Sequence, residues 1–239
     1  MRIDLYLANS GAVSSRTRAA NLIDLGRVTV NGKVVTKASL DVSDEDSIII
    51  TEDYEASLGG LKLKEALEKF GVSCKDKICM DVGASNGGFT DVLLKNGAKT
   101  VFAIDVGDCA LPSALAKDER IVVMDKTNAR YLGKDNFAVT PDFAVIDVSF
   151  ISLKLILPSV KSVMERNGEI IALIKPQFEC EKRDLSKKGI LVDKKKRDKI
   201  LSDMQSFCQN SGFSVVGVIP APHPFDNKNQ EYLIYLKIA

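Results

Sequence analysis

Chemistry in this chain is signalled first by a run of small residues flanked by acids. Asp81-Val-Gly83-Ala84-Ser85-Asn86-Gly87-Gly88-Phe89 follows the β-rich run Ile78 to Val82 and leads into a segment of helical spacing, Thr90 to Lys95. Glycines at such a strand-to-helix turn let a backbone come close to a ligand. Asp105, with Val106 beside it, follows Gly83 by 22 positions at the end of the next β-rich run. A carboxylate there can accept both ribose hydroxyls of an adenosine. The spacing suits either a dinucleotide or S-adenosylmethionine. Asp81 favours the second, because a carboxylate beside the loop repels a pyrophosphate and suits ammonium and sulfonium charges. The order G-x-x-x-G-G, in place of G-x-G-x-x-G, also argues against a nicotinamide cofactor. A tight turn with no ligand is the competing reading. Asp125, with Lys126 next to it, ends the third run, where it can bond an adenine amino group or cap a helix.

Two further charges stand at the ends of apolar runs. Asp147 closes Phe143-Ala-Val-Ile, and Lys175 closes Ile170-Ile-Ala-Leu-Ile before Pro176. Open α/β sheets place their ligands at the carboxyl ends of the strands. Charges at those edges are expected at sites, although either one alone reads more readily as ordinary solvation.

The elements that must position these groups alternate along residues 61–239. Helical spacing covers Leu61 to Phe70, Thr90 to Lys95, Leu155 to Met164 and Asp198 to Asn210. Between and around these lie β-rich runs at 78–82, 100–106, 121–124, 143–148, 169–174, 214–219 and 232–238. This order predicts an α/β fold, a doubly wound Rossmann-like sheet of parallel strands, with a terminal hairpin at one sheet end. Residues 51–60 are polar and close on Gly59-Gly60, the composition of a linker.

Residues 1–50 form a separate small α+β pattern. Ile3 to Leu7 has near-helical spacing, and Ser14-Ser15 can cap a second helix running through Ala19, Leu22, Ile23 and Leu25. Gly26 stops it. Val28 to Val30, Asn31-Gly32 and Val34-Val35 read as a type I′ hairpin, and Ser47 to Thr51 supplies one more strand. Residues 2–37 hold six basic residues against two acidic ones, whereas 38–50 hold four acids and no base. Such asymmetry makes one face basic, as phosphate contact requires, or marks a solvated surface. Residues 181–199 repeat the pattern, with nine basic side chains against four acidic, and read as an RNA-gripping loop or a solvated one.

Composition narrows the classes that remain. The formal charge of +1 leaves nucleic-acid affinity to these local patches. Five cysteines without C-x-x-C spacing argue against a disulfide framework or a zinc site, so no metal is expected and a reducing cytoplasm fits. No apolar run approaches the roughly 18 residues of a membrane span.

Arg2-Ile-Asp4-x-x-Leu7, Ser15-Arg16-x-x-Ala19 and Leu22-Ile23-x-x-Gly26-x-Val28-x-Val30-Asn31-Gly32 resemble the S4 RNA-binding domain. The resemblance implies that Arg16, Arg18 and Lys33 contact folded RNA; Arg2 and Arg27 belong to the same basic face, and Lys182, Lys187 and Lys188 to the basic loop read from its charge. Gly59-Gly-Leu-Lys62-Leu, the Asp81 to Asp91 loop, Asp147-Val-Ser-Phe-Ile-Ser-Leu and Lys175-Pro-Gln-Phe-Glu179 together resemble the TlyA family of S-adenosylmethionine-dependent ribosomal RNA 2′-O-methyltransferases, often labelled hemolysins. This resemblance implies a Lys, Asp, Lys, Glu tetrad at Lys62, Asp147, Lys175 and Glu231.

A ribose hydroxyl is a poor nucleophile, so a base must take its proton as the oxygen attacks the methyl group. Lysine ordinarily holds its proton to about pH 10.4, and burial or a second ammonium lowers that value. Lys175 is the expected base, with Lys62 beside it and Asp147 and Glu231 orienting the pair. The expected partner is ribosomal RNA or a ribosomal subunit, the large one first, met by a monomer or weak dimer. The chain departs from the family at Leu58, where an arginine is usual, and at Asp108-Cys-Ala-Leu-Pro112. A non-catalytic ribosome-assembly factor and a membrane-acting hemolysin are the other readings. The first needs no methyl donor, and the second needs an amphipathic or long apolar segment that the sequence lacks.

Overall fold

A computed structural model describes residues 1–13, 15–24, 26–50, 58–222 and 228–239. Contacts divide the chain into Met1–Leu61 and Lys62–Ala239.

In the first unit, α1 (Ile3–Asn9) and α2 (Arg16–Asp24) precede a three-stranded antiparallel sheet of order β2-β1-β3, formed by β1 (Val28–Val30), β2 (Lys33–Val34) and β3 (Ile48–Ile50). Ile3 and Leu7 on α1, and Ala19, Leu22 and Ile23 on α2, recur at helical spacing and are buried. Ser15 Oγ accepts the Arg18 N–H at 3.2 Å, capping α2 as its sequence suggests. Ser14 and Leu25 lie outside the described residues. Asn31 and Gly32 both take positive φ, 50° and 76°, which a type I′ turn requires.

The second unit is built on a seven-stranded sheet of order β6-β5-β4-β7-β8-β10-β9. Its strands are β4 (Ile78–Val82), β5 (Thr100–Ile104), β6 (Ile121–Met124), β7 (Phe143–Ile146), β8 (Glu169–Ile174), β9 (Phe213–Pro220) and β10 (Tyr232–Ile238). The pairs among β4 to β8 are parallel. β10 breaks the parallel run, because it returns between β8 and β9 and pairs antiparallel with both. The expected terminal hairpin is thus β9 and β10, with β9 at the edge. Strands β4, β7 and β8 are buried over nearly their whole length, as expected of continuous apolar runs covered on both faces.

The helices are α3 (Leu58–Phe70), α4 (Gly88–Lys95), α5 (Ser113–Ala116), α6 (Leu157–Val163), α7 (Pro176–Glu179) and α8 (Lys194–Asn210). Gly59 and Gly60 sit in the first turn of α3, not in a linker, and the rest of the expected linker, 51–57, lies outside the described residues. α8 begins four residues before the expected Asp198, because the Asp193 side chain accepts the Lys196 N–H at 3.2 Å and caps it. Part of the basic tract is therefore helical. α5 and α7 have four residues each, too few to show a period.

The chain runs outward from β4 to β6 and then returns to β7 on the other side of β4. That reversal opens a crevice at the carboxyl ends of β4 and β7. Gly83 stands in it with φ 88°, and a Cβ there would lie 2.3 Å from the Asp147 carbonyl oxygen. Gly87, at the start of α4, has φ 80°, and a Cβ would press on Leu111 and Leu115 at 2.7 and 2.8 Å. Gly71, with φ 63°, has open space around it. Gly71→Ala should therefore cost only the left-handed backbone strain, about 1–2 kcal/mol, whereas Gly83→Ala should cost clearly more because the β7 backbone must move. Urea unfolding of the two variants beside the parent chain measures the difference.

Candidate active site at the sheet switch point

The crevice is a cavity of about 400 Å³, within the size range of ligand pockets. The ends of four adjacent strands line it: Val82, Gly83 and Ser85 after β4, Ile104 to Val106 at β5, Thr127 to Ala129 after β6, and Asp147 to Ile151 after β7. One wall is apolar and the loops present polar groups, the division that an adenosine with a charged tail requires.

Asp81 is fully buried, and its Oδ2 accepts the Thr90 hydroxyl at 2.6 Å. Its Oδ1 has no partner. Burial is the main cause that pushes this carboxyl up to about 7, opposed by the Thr90 hydrogen bond and reinforced by the nearby charge of Asp147. A buried, unpaired carboxylate oxygen beside a glycine turn fits a cationic ligand group. Asp105 is committed in part to the backbone, with Oδ2 accepting the Ser85 N–H at 2.9 Å and Oδ1 the Gly107 N–H at 2.8 Å. It lines the cavity and shapes the loop at once.

The remaining loop residues are distributed differently. Ala84 and Phe89 are buried, Asn86 is exposed, and Gly87 and Gly88 start α4. Asp125 accepts the Cys109 N–H at 2.6 Å, and Lys126 Nζ lies 3.5 Å from Asp108. Neither lines the cavity; Thr127 and Asn128 stand there instead. Asp125 anchors the segment Asp108 to Pro112, in which Ala110 N–H also donates to the Ser85 carbonyl at 2.8 Å. The stretch that departs from the family pattern is thus fastened to the glycine loop.

Both lysines are paired with carboxylates. Lys62, near the start of α3, donates to Glu231 Oε2 at 2.6 Å, and the two side chains are only 19% and 17% exposed. Gln177 Nε2 approaches the other oxygen of Glu231 at 3.4 Å. Lys175 Nζ lies 2.5 Å from Asp147 Oδ1, while its aligned hydrogen bond goes to Ser149 Oγ at 2.9 Å. The Asp147 contact is a close ion pair. The register explains the gathering: Tyr232 pairs with Ile174, so Glu231 enters the sheet at the end where Lys175 leaves it. Ile146 pairs with Val82, which sets Asp147 beside Gly83.

Phe150 is a site feature the sequence did not single out. Its side chain is 90% exposed, its φ is 64°, and its ring lies 5.0 Å from that of Phe178. The sequence signal was its place three residues after Asp147. A large aromatic held in a strained backbone at a cavity mouth costs both hydration and conformational energy, which points to stacking on a ligand.

Comparison with known proteins agrees with this geometry. Residues 56–238 match the family model described as FtsJ-like methyltransferase, and residues 1–48 match the S4 domain. The chain belongs to the FtsJ-like methyltransferase family. It is 38% identical to a Mycobacterium tuberculosis protein named 16S/23S rRNA (cytidine-2'-O)-methyltransferase TlyA, over 99% of this chain and 89% of that one. It is 32% identical to a Campylobacter jejuni protein named 23S rRNA (cytidine-2'-O)-methyltransferase TlyA, over 98% of each. A solved structure from Streptococcus thermophilus, described provisionally as a hemolysin, superposes with a TM-score of 0.80 at 37% identity, covering 100% of this chain and 88% of that one. The FtsJ-like unit is an S-adenosylmethionine-dependent methyltransferase with the Rossmann-like sheet expected of it. Among the described residues no helix is long and apolar enough to cross a membrane.

In the S4 unit, Asp4 organises two of the expected RNA-facing arginines. Its side chain is 3% exposed and accepts Arg2 Nε and Nη2, both at 3.0 Å, and Arg16 Nε at 2.7 Å. The Arg2 bond, together with Arg16, holds this carboxyl at about 2 despite its burial. The arginine heads remain about half exposed, fixed at their inner edge and open outward. Lys33 on β2 is exposed, as are Lys182, Lys187 and Lys188 in the second unit, while Arg18 and Arg27 are half-buried.

Asp81 makes the second unit sensitive to pH. Its folded pKa lies above the ordinary 3.8, so between about pH 4 and pH 7 the folded chain holds a proton that the unfolded chain has lost. Stability should fall as pH rises through that window. Asp81→Asn should remove this slope, as read from urea midpoints at the two ends of the window.

Proposed function

We propose that this chain transfers the methyl group of S-adenosylmethionine to a ribose 2′-hydroxyl of ribosomal RNA, with a cytidine of the large-subunit RNA as the first substrate expected. The observation that carries the reading is the pair of lysine–carboxylate contacts, Lys62 with Glu231 and Lys175 with Asp147, at the carboxyl edge of the sheet, where Asp147 also lines the cavity. The names of the two TlyA relatives support the choice of RNA, and both include 23S. A ribosomal substrate places the protein in the cytoplasm, in keeping with five free cysteines.

S-adenosylmethionine supplies an electrophilic methyl group on a positively charged sulfur. Asp81 Oδ1 and the Gly83 turn are the groups we assign to its charged end, and Asp105 to its ribose. Lys175 takes the proton from the attacking 2′-hydroxyl. An ammonium has no lone pair, so the neutral amine of Lys175 is the form that takes this proton, and Asp147, 2.5 Å away, orients the amine and balances the charge that it gains. Glu231, fixed between Lys62 and Gln177, holds the Lys62 ammonium where it can donate to the substrate hydroxyl. Both ion pairs are largely shielded from water, which strengthens the field at the reacting oxygen. Phe150 stacks on a base of the substrate.

Tritium transfer from labelled S-adenosylmethionine to purified large and small subunits tests the assignment. Label should enter the large subunit with the parent chain and fall by a factor of about 10² or more with Lys175→Ala. Cofactor binding without transfer to either subunit would overturn the substrate, and undiminished transfer by Lys175→Ala would overturn the base. Phe150→Ala should weaken RNA binding by about 1–3 kcal/mol, the usual worth of one base–aromatic stack, with cofactor affinity unchanged in a calorimetric titration.

A further inference from the structure

Between α7 and α8 the basic tract is built, not loose. Ser186 to Ile190 form a turn closed by Ser186 N–H to the Ile190 carbonyl at 2.9 Å and Gly189 N–H to the Ser186 carbonyl at 2.8 Å. The Ser186 hydroxyl oxygen also accepts the Ile190 N–H at 3.1 Å. Gly189 takes φ 73°, and Lys187 and Lys188 stand exposed at the tip. Leu191, next along, is buried at 3% exposure and pins the exit of the turn.

One side chain from a distant part of the sequence grips this exit. Asn229 Oδ1 accepts the Leu191 N–H at 2.8 Å, and Asn229 Nδ2 donates to the Gly189 carbonyl at 2.9 Å. Asn229 lies two residues before Glu231, and Gln230 between them donates to the Ala221 carbonyl at 3.0 Å. The lysine turn is thereby tied to the strand that carries the Lys62–Glu231 pair.

We propose that Asn229 is a positioning residue that holds the Lys187–Lys188 turn as a phosphate-binding subsite at a set distance from the catalytic edge, gripping the RNA backbone near the target ribose. The proposal rests on the ribosomal RNA reading above. Its physical basis is preorganisation. Two lysines on a free loop lose much of their Coulomb gain in ordering the chain, whereas a turn already closed by its own hydrogen bonds and held at its exit loses little. Phosphate contacts of this kind place the duplex or strand without reading its sequence. The turn would therefore set which ribose reaches Lys175, while the base is chosen elsewhere.

The test compares the full chain with Asn229→Ala, with Lys187→Ala/Lys188→Ala, and with all three changes combined. Large-subunit RNA binding is measured across a salt series, and KM for RNA and kcat are measured with labelled cofactor. The lysine double variant should reduce the salt slope by about 1.4–1.8, two phosphate contacts' worth. Asn229→Ala should raise KM for RNA several-fold on its own and less than twofold when the lysines are already absent, with cofactor affinity unchanged. Equal effects of Asn229→Ala with and without the lysines would overturn the proposal. So would a fall in kcat with KM for RNA unmoved, which would mark Asn229 as support for Glu231 alone. An unchanged salt slope in the lysine variant would overturn the subsite. Because the slope is read from binding, failure of methyl transfer in the parent chain would refute the catalytic reading while leaving the turn independently measured.

Discussion

The close approach of Gly83 to the Asp147 carbonyl is the constraint from which the site follows. With a Cβ 2.3 Å from that oxygen excluded, only glycine lets β4 and β7 run side by side to their ends and diverge there. The divergence is the cavity. It also sets the glycine turn that follows β4 against Asp147, which follows β7. Methyl transfer needs donor and acceptor held within a few tenths of an ångström, and rigid strands do this better than loops. The remaining groups are then brought in by register, with Lys175 carried by β8 and Glu231 by the antiparallel return of β10.

Charge in the site is distributed by pairing. Each lysine has its own carboxylate, so neither pair leaves an isolated ion in a largely buried setting, and the cost of desolvation is offset locally. Asp81 is different. Its carboxyl has one hydroxyl partner and an empty second oxygen, and burial raises it to about 7. A cationic group placed beside that oxygen would stabilise the ionised form that burial disfavours.

The S4 unit uses the reverse device. Asp4 is buried but satisfied by two arginines, and its value falls to about 2. The acid pays its desolvation cost by fixing two guanidinium groups that a surface loop would leave free. The arginines are therefore fastened to the fold at one edge and open to solvent at the other.

Much of this was legible in the residues. The glycine turn, the acids at 81 and 105, and the strand-end charges at 147 and 175 announced themselves because short-range spacing determines which groups end a strand. The I′ turn at Asn31-Gly32 was legible for the same local reason. What the sequence did not show was long-range or ambiguous at short range. The antiparallel insertion of β10 depends on pairing partners some sixty residues apart, and it alone brings Glu231 to Lys62 across 169 positions. Gly59-Gly60 read as a linker because glycine disfavours helices, yet tertiary packing holds them in the first turn of α3. Asp125, just after β6, read as an adenine contact or a helix cap, and in the fold it accepts the Cys109 N–H while Thr127 and Asn128 line the cavity. The sequence by itself determined the types of group at each strand end and the turns between them. Only the tertiary structure decided which of those groups face one another, because partner choice, burial and exposure, as at Phe150, belong to the packed sheet and not to any local window of the chain.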